Sequence, residues 1–166
     1  MGVLATSKIS MSNGQSCRAD EIKAGDILQD GSTIQYVLES DAVGEKLSMV
    51  SMVSMATEPL VISNWHPILI GGCYQFPANC SSSAYICTDS TRVFSFLTDT
   101  GRDIVVNGIS CVALAHGSDM HPLKHYFFGT GRVQRAMLKL QPDSRGKVVC
   151  SRFVRHAVDG FVTDMY

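Results

Sequence analysis

The chain is short of charge. Aspartate, glutamate, lysine and arginine together make up 17% of its 166 residues, against about a quarter in an average soluble domain. That scarcity excludes a disordered acidic or basic tail protein, which depends on charge to stay solvated. The formal net charge is −1 and the sequence pI about 6.5. Proteins that grip nucleic acid do so mainly by setting cations against phosphates, so that class of partner has no electrostatic basis here. Long apolar runs are missing as well. The mean hydropathy is +0.11, yet Ser, Gly, Asn or a charge breaks each apolar stretch before the ~18 residues of a membrane span. The start of the chain, Met1 to Lys8, is too short and too polar for a secretion signal. No membrane partner is expected. The close CxxC pairing of zinc sites is also absent.

Six cysteines are present: Cys17, Cys73, Cys80, Cys87, Cys111 and Cys150. A chain of this length buries roughly two-thirds of its unfolded surface and holds a core without staples. The cysteines therefore read mostly as small buried hydrophobes with free thiols. Free thiols favour a reducing compartment, so a cytoplasmic location is expected. Neither metal nor cofactor is expected, and the chain reads as a monomer.

Turn dipeptides punctuate the sequence at short intervals: Asn13-Gly14, Gly25-Asp26, Asp30-Gly31, Gly71-Gly72, Thr100-Gly101 and Asn107-Gly108. Between them lie β-type stretches, Ile34–Leu38, Leu60–Ile62, Ile68–Ile70, Val93–Leu97, Ile104–Val106 and Ser110–Leu114. Many short strands with frequent turns predict a mainly β domain. Residues 48–56 read Ser-Met-Val, Ser-Met-Val, Ser-Met-Ala, a triplet pattern that fits neither strand nor helix period, and read as a strand apolar on both faces or as a Met-rich surface. Composition shifts after His116. Residues 131–140 carry apolar side chains at helical spacing and predict one small helix stopped before Pro142. A boundary near Gly117 thus separates a core, 1–117, from a mixed extension, 118–166.

The residues that suit chemistry are few. Asn64-Trp65-His66-Pro67 follows the strand Leu60–Ile62. A histidine at a strand end, fixed by proline, is placed for acid–base work. Ser63, three residues earlier, can orient the ring or bond a substrate amide. Cys111 lies inside a strand, where packing is the ordinary role. His121 and His125 have i, i+4 spacing, but Pro122 spoils a metal-binding helix.

Four ordered stretches resemble the Hint family, the self-processing domains of inteins and hedgehog proteins. They are Ala5 to Gly14, Ala19-Asp20-Glu21-Ile22-Lys23-Ala24-Gly25-Asp26-Ile27, Val61-Ile62-Ser63-Asn64-Trp65-His66-Pro67, and Arg92-Val93-Phe94 through Ile104 to Ala113. Leu114-Ala115-His116-Gly117, Phe76-Pro77 and His125-Tyr126-Phe127-Phe128-Gly129-Thr130 are similar to the Vint subgroup. The resemblance implies a flat, pseudo-two-fold Hint β-fold with a short mixed extension.

It also implies an activity. In the family, a cysteine at the first position attacks the carbonyl before it, an N–S acyl shift that turns a peptide bond into a thioester. By resemblance, His66 supplies a proton to the leaving nitrogen and Ser63 bonds the scissile peptide. The substrate is the domain's own upstream polypeptide, and the acceptor is water, a thiol or an amine. Counting back from Asn13-Gly14, the cysteine falls at Gly2. The sequence is thus expected to be a form whose nucleophile has been replaced, with a naturally inactive copy as the alternative. His116-Gly117 stands where splicing members have His-Asn, so cleavage without Asn-dependent splicing is expected. Asp41 corresponds loosely to the aspartate with which hedgehog proteins activate a sterol. Cys111 corresponds to a hedgehog cysteine near the nucleophile, open to an acyl group or to core packing. The rival reading is an inert Hint-fold interaction module whose contact face includes Tyr126–Phe128 and the Met triplets.

Overall fold

Two-residue turns bearing glycine, Gly71-Gly72 and Asn107-Gly108, close hairpins in the chain. In the computed structural model, which describes residues 1–42, 46–51, 58–80, 83–86 (backbone only) and 92–166, Val106 pairs with Ile109 across Asn107-Gly108. Both turn residues have positive φ, 47° and 80°. That is the geometry a two-residue hairpin needs to match strand twist, and Asn-Gly adopts it readily.

Among the described residues fifteen strands result: β1 (Val3–Leu4), β2 (Lys8–Ser10), β3 (Ser16–Arg18), β4 (Ile34–Asp41), β5 (Leu47–Val50), β6 (Leu60–Ser63), β7 (Ile68–Ile70), β8 (Cys73–Gln75), β9 (Ser83–Ile86), β10 (Arg92–Thr98), β11 (Ile104–Val106), β12 (Ile109–Cys111), β13 (Lys147–Cys150), β14 (Phe153–Arg155) and β15 (Val162–Met165). One sheet runs β13-β4-β10-β1-β6-β5-β9, a second β3-β2-β11-β12-β7-β8, and β14 pairs with β15 alone. The main core joins the two larger sheets through Val3, Ile9, Ile34, Ile62, Ile68, Phe94 and Val106.

The strand expected over Ser110–Leu114 ends at Cys111. The chain then crosses between sheets. Val112 N–H donates to the Pro67 carbonyl at 3.2 Å and Leu114 N–H to the Phe96 carbonyl at 2.8 Å. Hydrophobic continuity hides this crossing, because both sheets bury the same face. The Met triplets begin in β5, but residues 52–57 lie outside the described residues, as does Cys87.

The extension carries the expected helix, α1 (Gly131–Lys139), capped by the Thr130 side chain, which accepts from Arg132 N–H. Its Val133, Ala136 and Met137 are buried, as i, i+3, i+4 spacing requires. They join Leu38, Leu97 and Leu114 of the preceding segment in a second core. β13 adds in parallel to β4, Lys147 opposite Val37. Residues 118–166 therefore share a sheet and a hydrophobic cluster with residues 1–117. Phe127 and Phe128 belong to this cluster. Of the aromatic triplet only Tyr126 is exposed, with the Arg132 guanidinium 4.0 Å over its ring. The triplet is thus not a contact face: two of its rings are core.

Candidate active site

β1 is two residues long yet sits mid-sheet, with Val3 opposite both Phe94 of β10 and Ile62 of β6. Position 2 is therefore buried, and the peptides around it are held from both sides. The Gly2 carbonyl accepts from Ser63 N–H at 2.9 Å and from Ser63 Oγ at 3.3 Å. The Met1 carbonyl accepts from Ser95 Oγ at 2.5 Å. Ser63 thus reaches the carbonyl one peptide beyond the Met1–Gly2 bond, and Ser95 holds the carbonyl of that bond itself. A side chain at position 2 has little room. A Cβ built there falls 2.8 Å from the Phe94 oxygen and 3.0 Å from its nitrogen.

His66 follows β6 in a tight turn, its N–H donating to the Ser63 carbonyl at 3.0 Å. The ring is 3% exposed. Its Nε2 lies 2.8 Å from the Val112 carbonyl, which can only accept, so the ring proton sits on Nε2. Nδ1 is left as a bare, buried lone pair with no hydrogen-bond partner. Burial pushes the ring's pKa down to about 4, against the opposing pull of the Val112 bond, and the positive chain terminus at Met1 pushes the same way. His66 is accordingly neutral at neutral pH. Next to it, buried Asn64 accepts from Ser48 Oγ at 2.7 Å through its own Oδ1.

Met1, Ser63, Asn64 and Val112, the residues around Gly2 and His66, line a cavity of about 690 Å³ together with His116, His125 and, from the extension, Phe153, Arg155 and Phe161; Gly2 and His66 themselves lie behind that wall. Two further histidines are tied to the loop that walls it. His116 Nδ1 accepts from Ser118 N–H at 3.0 Å. His125 Nδ1 accepts from Phe127 and Phe128 N–H at 3.1 and 3.0 Å. Burial lowers the pKa of both rings. Among the described residues, no three His, Cys, Asp or Glu side chains gather as metal ligands, and no helix is long and apolar enough to cross a membrane.

The structure brings Gly2, Ser63 and His66 together and leaves the other two sequence candidates apart. Cys111 is buried in the main core, its Sγ 3.6 Å from the Ile109 carbonyl, and burial raises its pKa far above the ordinary thiol value. It does not line the cavity, although its neighbour Val112 fixes His66. Asp41 lies at the exposed end of β4, 4.0 Å from Arg92, outside the cavity. Sequence reasoning missed Ser95. The one available signal was a serine amid Val93, Phe94, Phe96 and Leu97, a polar residue where the strand is otherwise apolar.

The family model described as Vint: Hint-domain matches residues 3–164. No curated protein matches. Among solved structures, the crystal structure of the MchDnaB-1 intein aligns at a TM-score of 0.54 and 14% identity, covering 67% of this chain and 98% of that one. The Msm DnaB1 intein splicing domain bound with zinc aligns at 0.47 and 16%, with the same coverage of each chain. At such identity the first likeness speaks for the fold.

Proposed function

The chain belongs to the Vint family of Hint domains, a domain class of the autoprocessing type, and we propose on that basis that its reactive form cleaves the peptide bond between residue 1 and position 2. The observation that carries this reading is the buried, tautomer-locked His66 beside a peptide clamped by Ser63 and Ser95.

The nucleophile is a cysteine at position 2. Its Sγ adds to the carbonyl carbon of residue 1, and its proton passes to Nδ1 of neutral His66. The developing oxyanion takes the hydrogen bond of Ser95 Oγ, a preorganised donor in a dry site. The protonated ring, with a pKa near 4, is a strong enough acid to protonate the weakly basic nitrogen of position 2. The C–N bond breaks, leaving a thioester on Sγ and a free amine at position 2. His66 thus acts as base first and acid second, because burial leaves it no resident proton on Nδ1. Ser63 holds the carbonyl of position 2 so that the attacking residue keeps its place. Water, a thiol or an amine then opens the thioester, splitting one hard step into two.

The test is Gly2→Cys behind an upstream reporter, with added thiol. Thiol-dependent release of the reporter is expected, and His66→Ala should slow it by about 10²–10⁴-fold. No release, or release indifferent to His66→Ala, overturns the reading. One observation favours the rival, an inert interaction module: the backbone of Phe94 crowds any Cβ at position 2. That reading predicts a folded Gly2→Cys protein that never cleaves.

A further inference from the structure

The 690 Å³ cavity is larger than acid–base chemistry on one peptide requires, and its size falls within the range that holds a sizeable ligand. Its walls carry five aromatic rings, Trp65, Phe76, Phe128, Phe153 and Phe161. Trp65 packs edge-on against Phe76, with centroids 5.4 Å apart, yet stays 64% exposed. The charges are lopsided. Lys46 and Lys124 line the cavity, as does Arg155, whose guanidinium donates to the Gly160 carbonyl at 3.1 Å; the one acid in the wall, Asp159, meets His156 at 3.2 Å and Phe161 N–H at 3.0 Å. His125 adds to the donors. Its Nδ1 is occupied by two backbone N–H groups, so its ring proton sits on Nε2.

Residue 1 identifies the occupant. Met1 is part of the cavity wall and packs against the extension's hydrophobic cluster. Its amino group lies near enough to disfavour protonation of both His66 and His125. Any residue joined ahead of Met1 begins inside this space.

We infer that the cavity seats the residues immediately preceding residue 1 in the unprocessed chain and selects segments that combine apolar and acidic side chains. The inference rests on the self-processing reading. Aromatic walls take the apolar side chains, and Lys46, Lys124 and the His125 donor take carboxylates. The extension, which supplies Phe153, Arg155 and Phe161, is then the part of the domain that reads the upstream sequence.

Trp65 is the only tryptophan in the chain and reports on the cavity directly. The Gly2 protein is prepared with an extension of about six residues ahead of Met1, enough to span roughly 20 Å. One version reads Gly-Glu-Leu-Phe-Glu-Leu and the other Gly-Lys-Ser-Gly-Lys-Ser. Acrylamide quenching of Trp65 should fall about three-fold with the first, as expected for a half-exposed ring covered by a seated ligand, and stay unchanged with the second. Lys124→Glu, a change at an exposed residue, should weaken the protection by the acidic extension. Equal quenching with the two extensions overturns the inference. Gly2→Cys in both extended chains separates it from the cleavage reading. Protection without cleavage retains the seat and overturns self-processing. Equal cleavage of both extensions with Trp65 unprotected retains self-processing and overturns the seat.

Discussion

Adding a single methyl group at position 2 tests how rigidly the site is held. In Gly2→Ala the new Cβ meets the Phe94 carbonyl oxygen at 2.8 Å and its nitrogen at 3.0 Å. Ordinary contact needs roughly half an ångström more, and the obstacle is backbone rather than a side chain that can swing aside. Phe94 lies in β10, paired with β4 on one side and β1 on the other, so neither neighbour yields freely. Overpacking of this kind costs about 1–3 kcal/mol. For a domain of this length that is a fall in Tm of about 2–4 °C per kcal/mol. Urea unfolding of the Gly2 and Gly2→Ala proteins, read by Trp65 fluorescence and by far-UV circular dichroism, measures it. A loss inside about 0.5 kcal/mol, the scatter of an ordinary surface change, refutes the claim that β10 fixes position 2. The same strain would bear on a cysteine there. On the self-processing reading, in Gly2→Cys that strain sits beside the bond to be broken, and a cleaved protein more stable than the uncleaved one is the expected outcome if the departure of residue 1 relieves it.

Other outcomes follow from the same geometry. Ser95→Ala, in the Gly2→Cys background, should slow thiol-dependent cleavage by about a hundred- to a thousandfold, the usual effect of removing one oxyanion donor; unchanged rates would remove Ser95 from the mechanism. His66 stays neutral down to about pH 4 when folded, whereas the unfolded ring takes up a proton near 6.5. Between those values the unfolded chain binds the extra proton, so stability falls as pH drops, by up to about 1.4 kcal/mol per pH unit. His66→Phe should flatten that slope, and parallel curves for the two proteins would contradict it. Glu39 is buried in β4 with Lys147 Nζ at 3.0 Å and Arg92 on its other oxygen, and these cations hold its pKa below the usual value against the effect of burial. Glu39→Gln should cost about 1–3 kcal/mol and speed amide exchange at Val148 and Cys150; unaltered exchange would show that β13 docks without the ion pair.

Legibility in the sequence followed the range of the interaction. Ile68–Ile70 and Ile104–Val106 are strands over the residues their side chains predict, and α1 stops where Pro142 forbids it to continue. These are local signals. His66 was legible because a proline and a strand end bracket it. Its hydrogen bond to Val112, 46 residues away, was not, and that bond decides which nitrogen keeps its lone pair. Ser95, on which the sequence reading was silent, is 2% exposed, because β1 is laid against β10 from the far end of the chain. Cys111 carried a family role and an ordinary packing role with equal plausibility; only the sheet register, Cys111 opposite Ile68 and Ile104, places its thiol in the core. Asp41 suffers the opposite fate, since β4 extends three residues past its apolar stretch and carries the carboxylate out to Arg92.

The parallel docking of β13 on β4 has a consequence in time. The bond at residue 1 leaves the ribosome well before the strands that complete its surroundings. Synthesis at about 5–20 residues per second puts several seconds between the emergence of Met1 and that of Phe161. Until β13 to β15 arrive, β4 has β10 on one side and no neighbour on the other, and the cavity lacks a wall. On the self-processing reading, a domain so connected holds cleavage back until translation has passed β15, with the order of the strands serving as the clock.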